Sequence, residues 1–261
     1  MKTDLDLAPL SSQQCQVLAD ALEDTPETVI SISQLRRGLA RAFVIGDPAD
    51  FQAAVVEDLG SPGEPMAFGS DASLLADLLP AIPGWFCVNV SPAVAPDLGP
   101  LLAERMGYPI RYYGDIYHIL TQPAPDLVHT EVRSLTLADL PLLEAAPAEI
   151  RGLDLHRLLT QMAAAGAVVD SQIVAIAINY ARSARYADIG VQTLPQWRGR
   201  GFAPAAAAIV AREAQASGRI PVWSCGENNR ASLRVAQKLG FQEVSRRTYI
   251  ILNKASEARG E

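Results

Sequence analysis

Cysteine is scarce in this chain. Three are spread over 261 residues, at Cys15, Cys87 and Cys225, and none stands in a CxxC or CxxxH spacing. That speaks against a disulfide framework and a metal site, and it points to a reducing, cytoplasmic setting. Histidine is equally sparse. His118, His129 and His156 lie far apart with no carboxylate or serine at a readable spacing, so all three are read as structural. Basic charge is outnumbered: 22 Lys and Arg stand against 29 Asp and Glu, a net charge of -7. A nucleic-acid partner needs a basic surface that replaces counterions, so none is expected. No apolar run reaches the ~18 residues of a membrane span, so no membrane partner is expected either. The opening MKTDLDLAPLSSQQ carries acids early and no apolar segment of signal-peptide length.

What remains is ample material for a core. Hydrophobic residues make up 49% of the chain and charged ones 20%. The length suits two domains. The break between them is read at Thr121 to Asp126, TQPAPD, where two prolines disfavour both helix and central strand. The expected domains are 1–124 and 125–255.

In the second half, Val128 to Leu135 reads as a strand. A short helical stretch begins at Thr136, and a second helix runs from Leu153 to Ala165 with Gly166 as its stop. Ala167 to Val169, Gln172 to Tyr180 and Ala187 to Thr193 read as strands. Ala203, Ala206, Ala207, Val210 and Ala214 form one helical stripe. Pro204 is tolerable only in that helix's first turn, which puts its start near Phe202. A strand at Ile220 to Ser224 and a helix at Arg230 to Leu239 follow, with Gly240 as a left-handed stop.

The two halves also resemble each other. LAERMGY at 102–108 with IYHIL at 116–120 matches VAQKLGF at 235–241 with TYIIL at 248–252, at a nearly constant offset. The expected architecture is therefore α/β, two tandem units, each a mixed sheet flanked by helices.

The informative segment is VQTLPQWRGRGFA, 191–203. A strand ends, two glycines are spaced by one residue, and a small-residue helix begins. Such glycines let backbone N–H groups converge, and the helix N-terminus adds unpaired donors and partial positive charge. The combination suits a pyrophosphate. A dinucleotide fingerprint would need a third glycine and a downstream acid, and a Walker loop would need Gly-Lys-Ser/Thr; neither is present.

Gln196-Trp197-Arg198-Gly199-Arg200-Gly201 resembles the [Q/R]-x-x-G-x-[G/A] pyrophosphate loop of the GNAT acetyltransferases. Asn229-Arg230-Ala231-Ser232 and Lys238-Leu239-Gly240-Phe241 resemble that family's N-x-x-[S/A] … K-L-G-F segment. The resemblance covers about Val128 to Leu252. It implies the acyl-CoA N-acyltransferase fold, acetyl-CoA as cosubstrate, and an amine or peptide amine as acceptor, acetylated by direct attack in a ternary complex. It implies cofactor contacts from Val191, Thr193, Arg198, Gly199, Arg200, Gly201, Phe202, Ala203, Asn229 and Ser232. A backbone N–H on the strand ending at Thr193 would stabilise the oxyanion.

Ordinary readings stand beside these. The glycines could make a tight turn, and the arginines could be solvated. Asn229 is also a good N-cap, a role compatible with cofactor contact. Ser232 is either a first-turn helix residue or a contact of the pantetheine arm. Asp188 and Glu227 are positional candidates for the base that deprotonates the amine, or else solvated acids.

At Ala236 the chain departs from the family, where many relatives carry a tyrosine that protonates the leaving thiolate. A thiol of pKa ~8.5 leaves well enough for the reaction to slow rather than stop, and Ser232, Cys225 or a water could substitute. The small residues Ala203, Ala231 and Ala236 would leave space beside the acyl group. The first half has MAFGSD, 66–71, at the offset of the loop. It lacks the second glycine and the arginines and adds an acid, so no second cofactor site is expected. That half would either wall the acceptor site or build a homodimer. The alternative function is a non-catalytic acyl-CoA-binding regulatory or scaffold protein.

Overall fold

The computed structural model describes residues 8–151 and 155–253. They form two compact units. One comprises residues up to Glu23, Ile30–Ile116 and the chain from Arg246 onward; the other comprises Asp24–Val29 and Tyr117–Ser245.

The first unit opens with helices α1 (Ser12–Ala21) and α2 (Val29–Arg37). Strands β1 (Ala40–Asp47) and β2 (Asp50–Asp58) form an antiparallel pair. β3 (Met66–Phe68), helix α3 (Ala72–Leu78), β4 (Cys87–Val90), helix α4 (Ala95–Met106) and β5 (Ile110–Ile119) follow. β2 pairs antiparallel with β3, and β3 meets β4 in parallel at Met66 and Asn89. The core gathers Leu75, Leu78, Leu98 and Leu102 of the two later helices against Val55, Val88 and Val90.

The second unit repeats this plan. β6 (Val132–Ser134) leads to short helices α5 (Leu140–Glu144), α6 (Ala148–Arg151) and α7 (Leu155–Gln161). Then come β7 (Ala164–Val169), β8 (Gln172–Arg182), β9 (Tyr186–Thr193), helix α8 (Phe202–Ala216), β10 (Ile220–Gly226), helix α9 (Arg230–Leu239) and β11 (Gln242–Leu252). Strands β6 to β9 are successive antiparallel neighbours, and β9 runs parallel to β10. The alanines of α8 let its backbone approach the sheet closely. Ala206, Ala207, Val210 and Ala211 pack with Ala165, Ala177 and Ile189. Leu143, Ile150 and Leu158 of the short helices cluster with Ala164, Ile173 and Val174.

The tandem plan expected from the repeat is present. Gly107 and Gly240 both close a helix in the left-handed region, at φ 72° and 90°. The matching segments IYHIL and TYIIL fall at the ends of β5 and β11, where the chain from Tyr117 belongs to the second unit and the chain from Arg246 to the first. Residues 248–251 of β11 pair antiparallel with β4. The end of β5 lies beside β10, and the N–H of Leu120 just after it bonds the carbonyl of Pro221.

Two expectations are corrected. The strand foreseen at Val128 to Leu135 is confined to Val132–Ser134. The second helix ends at Gln161 rather than at Gly166, and Leu153, its expected start, lies outside the described residues. Gly166 is strand interior instead, opposite Arg133 and Ile176. Any Cβ there would stand 3.0 Å from Leu135 Cδ1 and 3.1 Å from the Ala175 carbonyl, so close packing and not helix termination selects glycine.

Candidate functional site

Strands β9 and β10 are in register only from Tyr186 with Ile220 to Asp188 with Val222. Both continue, to Thr193 and Gly226, without further pairing to each other. On its other side β9 stays bonded to β8 as far as Thr193 with Ala175. The next residue, Leu194, donates its N–H to the Val174 carbonyl at 3.0 Å, toward β8. Strand alternation then turns the N–H groups of Val191 and Thr193 the other way, into the gap where β10 has left. Those are the two strand positions expected to contact the cofactor. The Thr193 hydroxyl is also buried with no partner among the described residues, an orphan that a bound ligand would satisfy.

The chain then turns through Pro195–Trp197 into the two glycines. Gly199 and Gly201 have φ of 78° and 87°, which residues with a Cβ rarely adopt. Gly201 is the N-cap of α8, and no side chain caps that helix. Pro204 has no N–H to give, and Ala205 bonds back to the Gly201 carbonyl at 3.3 Å. The backbone N–H groups of Gly199, Arg200, Gly201, Phe202 and Ala203 therefore have no acceptor among the described residues. Such a row at a helix N-terminus fits a diphosphate. Arg198 and Arg200 are exposed. Arg198 Nε reaches the Thr193 carbonyl at 3.3 Å, and the Arg200 guanidinium lies 4.4 Å over the Trp197 ring.

The first unit has a counterpart arrangement, filled from within. Asp71 is the N-cap of α3, and its Oδ1 accepts from the N–H groups of Ser73 and Leu74 at 2.9 and 3.2 Å. The carboxylate thus takes the donors that α8 leaves unspent, and those bonds, led by the Ser73 hydroxyl, hold its pKa below the ordinary value. Arg247 bridges the parallel strands: its Nη2 donates to the carbonyls of Ala67 on β3 and Asn89 on β4, at 2.7 and 3.0 Å. Its Nε bonds Asn89 Oδ1, and its guanidinium lies over Phe68. Sequence reasoning saw the acid of MAFGSD but missed Arg247, which comes from a distant strand.

At the base of α9, Asn229 is the N-cap, its Oδ1 accepting from Ser232 N–H at 3.1 Å. Ser232 Oγ accepts from Trp223 Nε1 at 2.9 Å, a contact the sequence did not signal. Asp188 is buried at the last position where β9 pairs with β10, whereas Glu227 is exposed in the turn after β10. Cys225 is buried and carries no disulfide.

Ala236 is 1% exposed and packs within the α8–α9 core with Leu239 and Trp223. Ala231 is exposed. The space expected from these alanines is therefore taken up by packing at Ala236. His129, read as isolated, is not: its Nδ1 lies 2.7 Å from Glu131 Oε2 and its Nε2 lies 3.2 Å from the Arg200 carbonyl. His118 is buried with Nδ1 3.3 Å from the Trp223 carbonyl. No group of His, Cys, Asp and Glu suited to a metal occurs among the described residues, and no described helix is long and apolar enough to cross a membrane.

Residues 163–251 match the family model described as GNAT acetyltransferase. By sequence, no curated protein matches the chain. Among solved structures, a GCN5-related N-acetyltransferase-like protein from Streptococcus suis aligns with a TM-score of 0.69 at 21% identity, covering 93% of this chain and 99% of that one. A putative GNAT-family acetyltransferase from Novosphingobium aromaticivorans aligns at 0.59 and 19%, covering 88% and 98%. A tandem GNAT protein from the clavulanic acid biosynthesis pathway aligns at 0.57 and 13%, covering 94% and 97%. These structural likenesses span 88% to 94% of this chain.

Proposed function

We propose that the chain is an N-acetyltransferase that uses acetyl-CoA and acetylates an amine, a reading supported by the match of residues 163–251 to the GNAT acetyltransferase family model and by the likeness of fold to a tandem GNAT protein. The observation that carries this reading is the row of unspent N–H groups from Gly199 to Ala203 at the uncapped start of α8. In this reading those groups and the nearby arginines hold the diphosphate, and the β9 edge from Val191 to Thr193 holds the pantetheine arm. Acetyl-CoA, when bound, supplies an activated acyl group.

The chain's residues take the remaining roles. The Val191 N–H, turned into the gap, polarises the acyl carbonyl and stabilises the oxyanion. Ser232 Oγ accepts a hydrogen bond from the Trp223 indole N–H, so its own hydroxyl hydrogen is free to point at the departing sulfur, relaying a solvent proton to the thiolate so that the serine ends neutral. Asp188, at the point where the strands part, is the favoured base for the amine proton; Glu227, exposed beyond β10, is the second candidate. Asn229 supports Ser232 through the helix cap.

One coenzyme per chain is proposed, in the second unit. The Asp71 cap and the Arg247 bridge support this count, since both spend groups that a coenzyme would need. The negative charge of the chain, -7, favours a cationic amine acceptor. The packing of Ala236 also keeps alive a second reading, a non-catalytic acyl-CoA-binding protein, because no tyrosine is there to give a proton.

The test is coenzyme release measured over a panel of amines and peptides, with acetyl-CoA binding followed by calorimetry. Wild type should bind one equivalent and turn over at least one amine. A combined Arg198→Ala and Gly199→Ala replacement that left affinity unchanged would refute the site. Tight binding without turnover on any acceptor would favour the non-catalytic reading.

A further inference from the structure

Gly190 stands in the interior of β9, where glycine is a poor choice because it gives up backbone entropy and offers no side chain to pack. Left-handed backbone does not select it, since its φ is not positive. Crowding does not select it either. Among the described residues, a Cβ built there would meet only Ile178 Cγ1 and Tyr180 Cβ, both at 3.7 Å, an ordinary contact. A bulge does not fall on it: Gly190 pairs with Ile178, and the register shifts further on, between Asn179 and Ala181. Gly190 is half-buried, so solvent reaches its backbone. The remaining reason for glycine inside a strand is the close approach of a ligand.

Its surroundings fit the acceptor. Strand alternation puts Asp188 and Gly190 on one face of β9, while Ile189 and Val191 turn to the other and pack with α8. Ile178 and Tyr180 of β8 border Gly190 on its own face. Asp188 is buried, two strand residues or about 6.7 Å along the backbone. On the other side of Gly190 in sequence, the Val191 N–H turns into the gap where β10 has left β9. An amine that reaches both Asp188 and an acyl carbon held at Val191 has to cross Gly190.

We infer that Gly190 is a specificity-determining residue for the acceptor, and that the acceptor is a primary amine carried on an unbranched hydrocarbon stem. The inference rests on the proposed acetyltransferase reading. The stem lies over the Gly190 Cα, against Ile178 and the Tyr180 Cβ, with its nitrogen toward Asp188. These neighbours are carbon atoms, which favour hydrocarbon over a polar group that would lose its water there. The missing side chain frees the room of a methyl group. A branch at the amine-bearing carbon needs a second such space, which Ile178 and Tyr180 take up.

The experiment uses the full chain, in the wild type and in Gly190→Ala. Because a Cβ finds ordinary contacts there, the variant should melt at or above the wild-type temperature. A lower melting temperature would make the glycine structural and overturn the inference. Calorimetry with coenzyme A reads the proposed coenzyme site by itself and should give the same affinity in both proteins. A weaker variant would assign Gly190 to the coenzyme and overturn its acceptor role. Acceptor binding is read on the Val191 amide by nuclear magnetic resonance, with and without coenzyme A, using n-butylamine and tert-butylamine as probes of equal charge. In the wild type n-butylamine should shift that amide and bind about tenfold more tightly than tert-butylamine, and Gly190→Ala should weaken n-butylamine about tenfold, the lower range for one carbon in an apolar site. Equal affinity for the two amines, unchanged affinity in the variant, or no shift in either condition overturns the inference. If the wild type binds no coenzyme yet the Val191 amide still discriminates the amines in this way, the acetyltransferase reading falls while the amine slot stands.

Discussion

Trp223 Nε1 donates a 2.9 Å hydrogen bond to Ser232 Oγ, joining β10 to the first turn of α9 across nine residues of sequence. An indole N–H only donates, so the serine oxygen is committed as acceptor and its hydrogen is left for another partner. The bond also fixes the side-chain rotamer that a proton donor near the sulfur would need. Replacing Ser232 by Ala should lower kcat about hundredfold, the low end for loss of a positioned acid, with little change in KM for acetyl-CoA. Trp223→Phe should produce a smaller loss in kcat. Steady-state kinetics on both variants tests the pair; an unchanged kcat in Ser232→Ala would remove the serine from the chemistry.

The buried position of Ala236 yields a prediction opposite to simple restoration. Placing the family's tyrosine there forces a large ring into a site that is 1% exposed and lined by Leu239 and Trp223. Overpacking of this kind costs about 1–3 kcal/mol or more. Ala236→Tyr should therefore lower the melting temperature and should not raise turnover. A faster and equally stable variant would show that α9 has room to shift.

Strand exchange predicts how the chain tolerates cutting. Leu120 and Ala124 are core residues of the second unit, and Leu120 also bonds β10 through its backbone. A fragment of residues 125–253 lacks both and bares the edge of β10, so it should aggregate or lack fixed tertiary packing. A fragment beginning at Tyr117 should fare better. Size-exclusion chromatography and near-ultraviolet circular dichroism distinguish the two.

Asp139 supplies an acid-sensitive element. Its carboxylate is paired with Arg133 and accepts from the Thr136 N–H at 2.8 Å, and these bonds lower its pKa, the Arg133 bond foremost. A depressed folded-state pKa contributes stability above the unfolded value of ~4, which is lost as pH falls through the lower folded value. Asp139→Asn should destabilise the protein at neutral pH and flatten the acid limb of the stability curve below pH ~4. Melting temperature against pH, compared with wild type, is the measurement.

Some elements were legible because local chemistry determines them. The start of α8 at Phe202 follows from Pro204, and the ends of α4 and α9 follow from glycines that adopt positive φ. The loop of Gly199 and Gly201 was legible because its positive-φ backbone depends on residue type at adjacent positions. The Gly166 error has a different origin. A glycine chosen for close strand packing against Leu135 looks, in sequence, the same as one chosen to stop a helix. His129 was misread on two counts: its contact with the Arg200 carbonyl spans 71 residues, and Glu131, two residues on, was overlooked as a carboxylate partner.

From the sequence alone came the class of fold, the tandem plan and the glycine loop that leads into α8. Each rests on periodicity, turn residues or a short contiguous motif, and those act over a few residues. Tertiary structure alone decided that the end of β5 belongs to the second unit and the end of β11 to the first, that Arg247 spans β3 and β4, and that Trp223 holds Ser232. Those are contacts between side chains or strand edges far apart in the chain, and no local rule encodes which distant partner closes a gap.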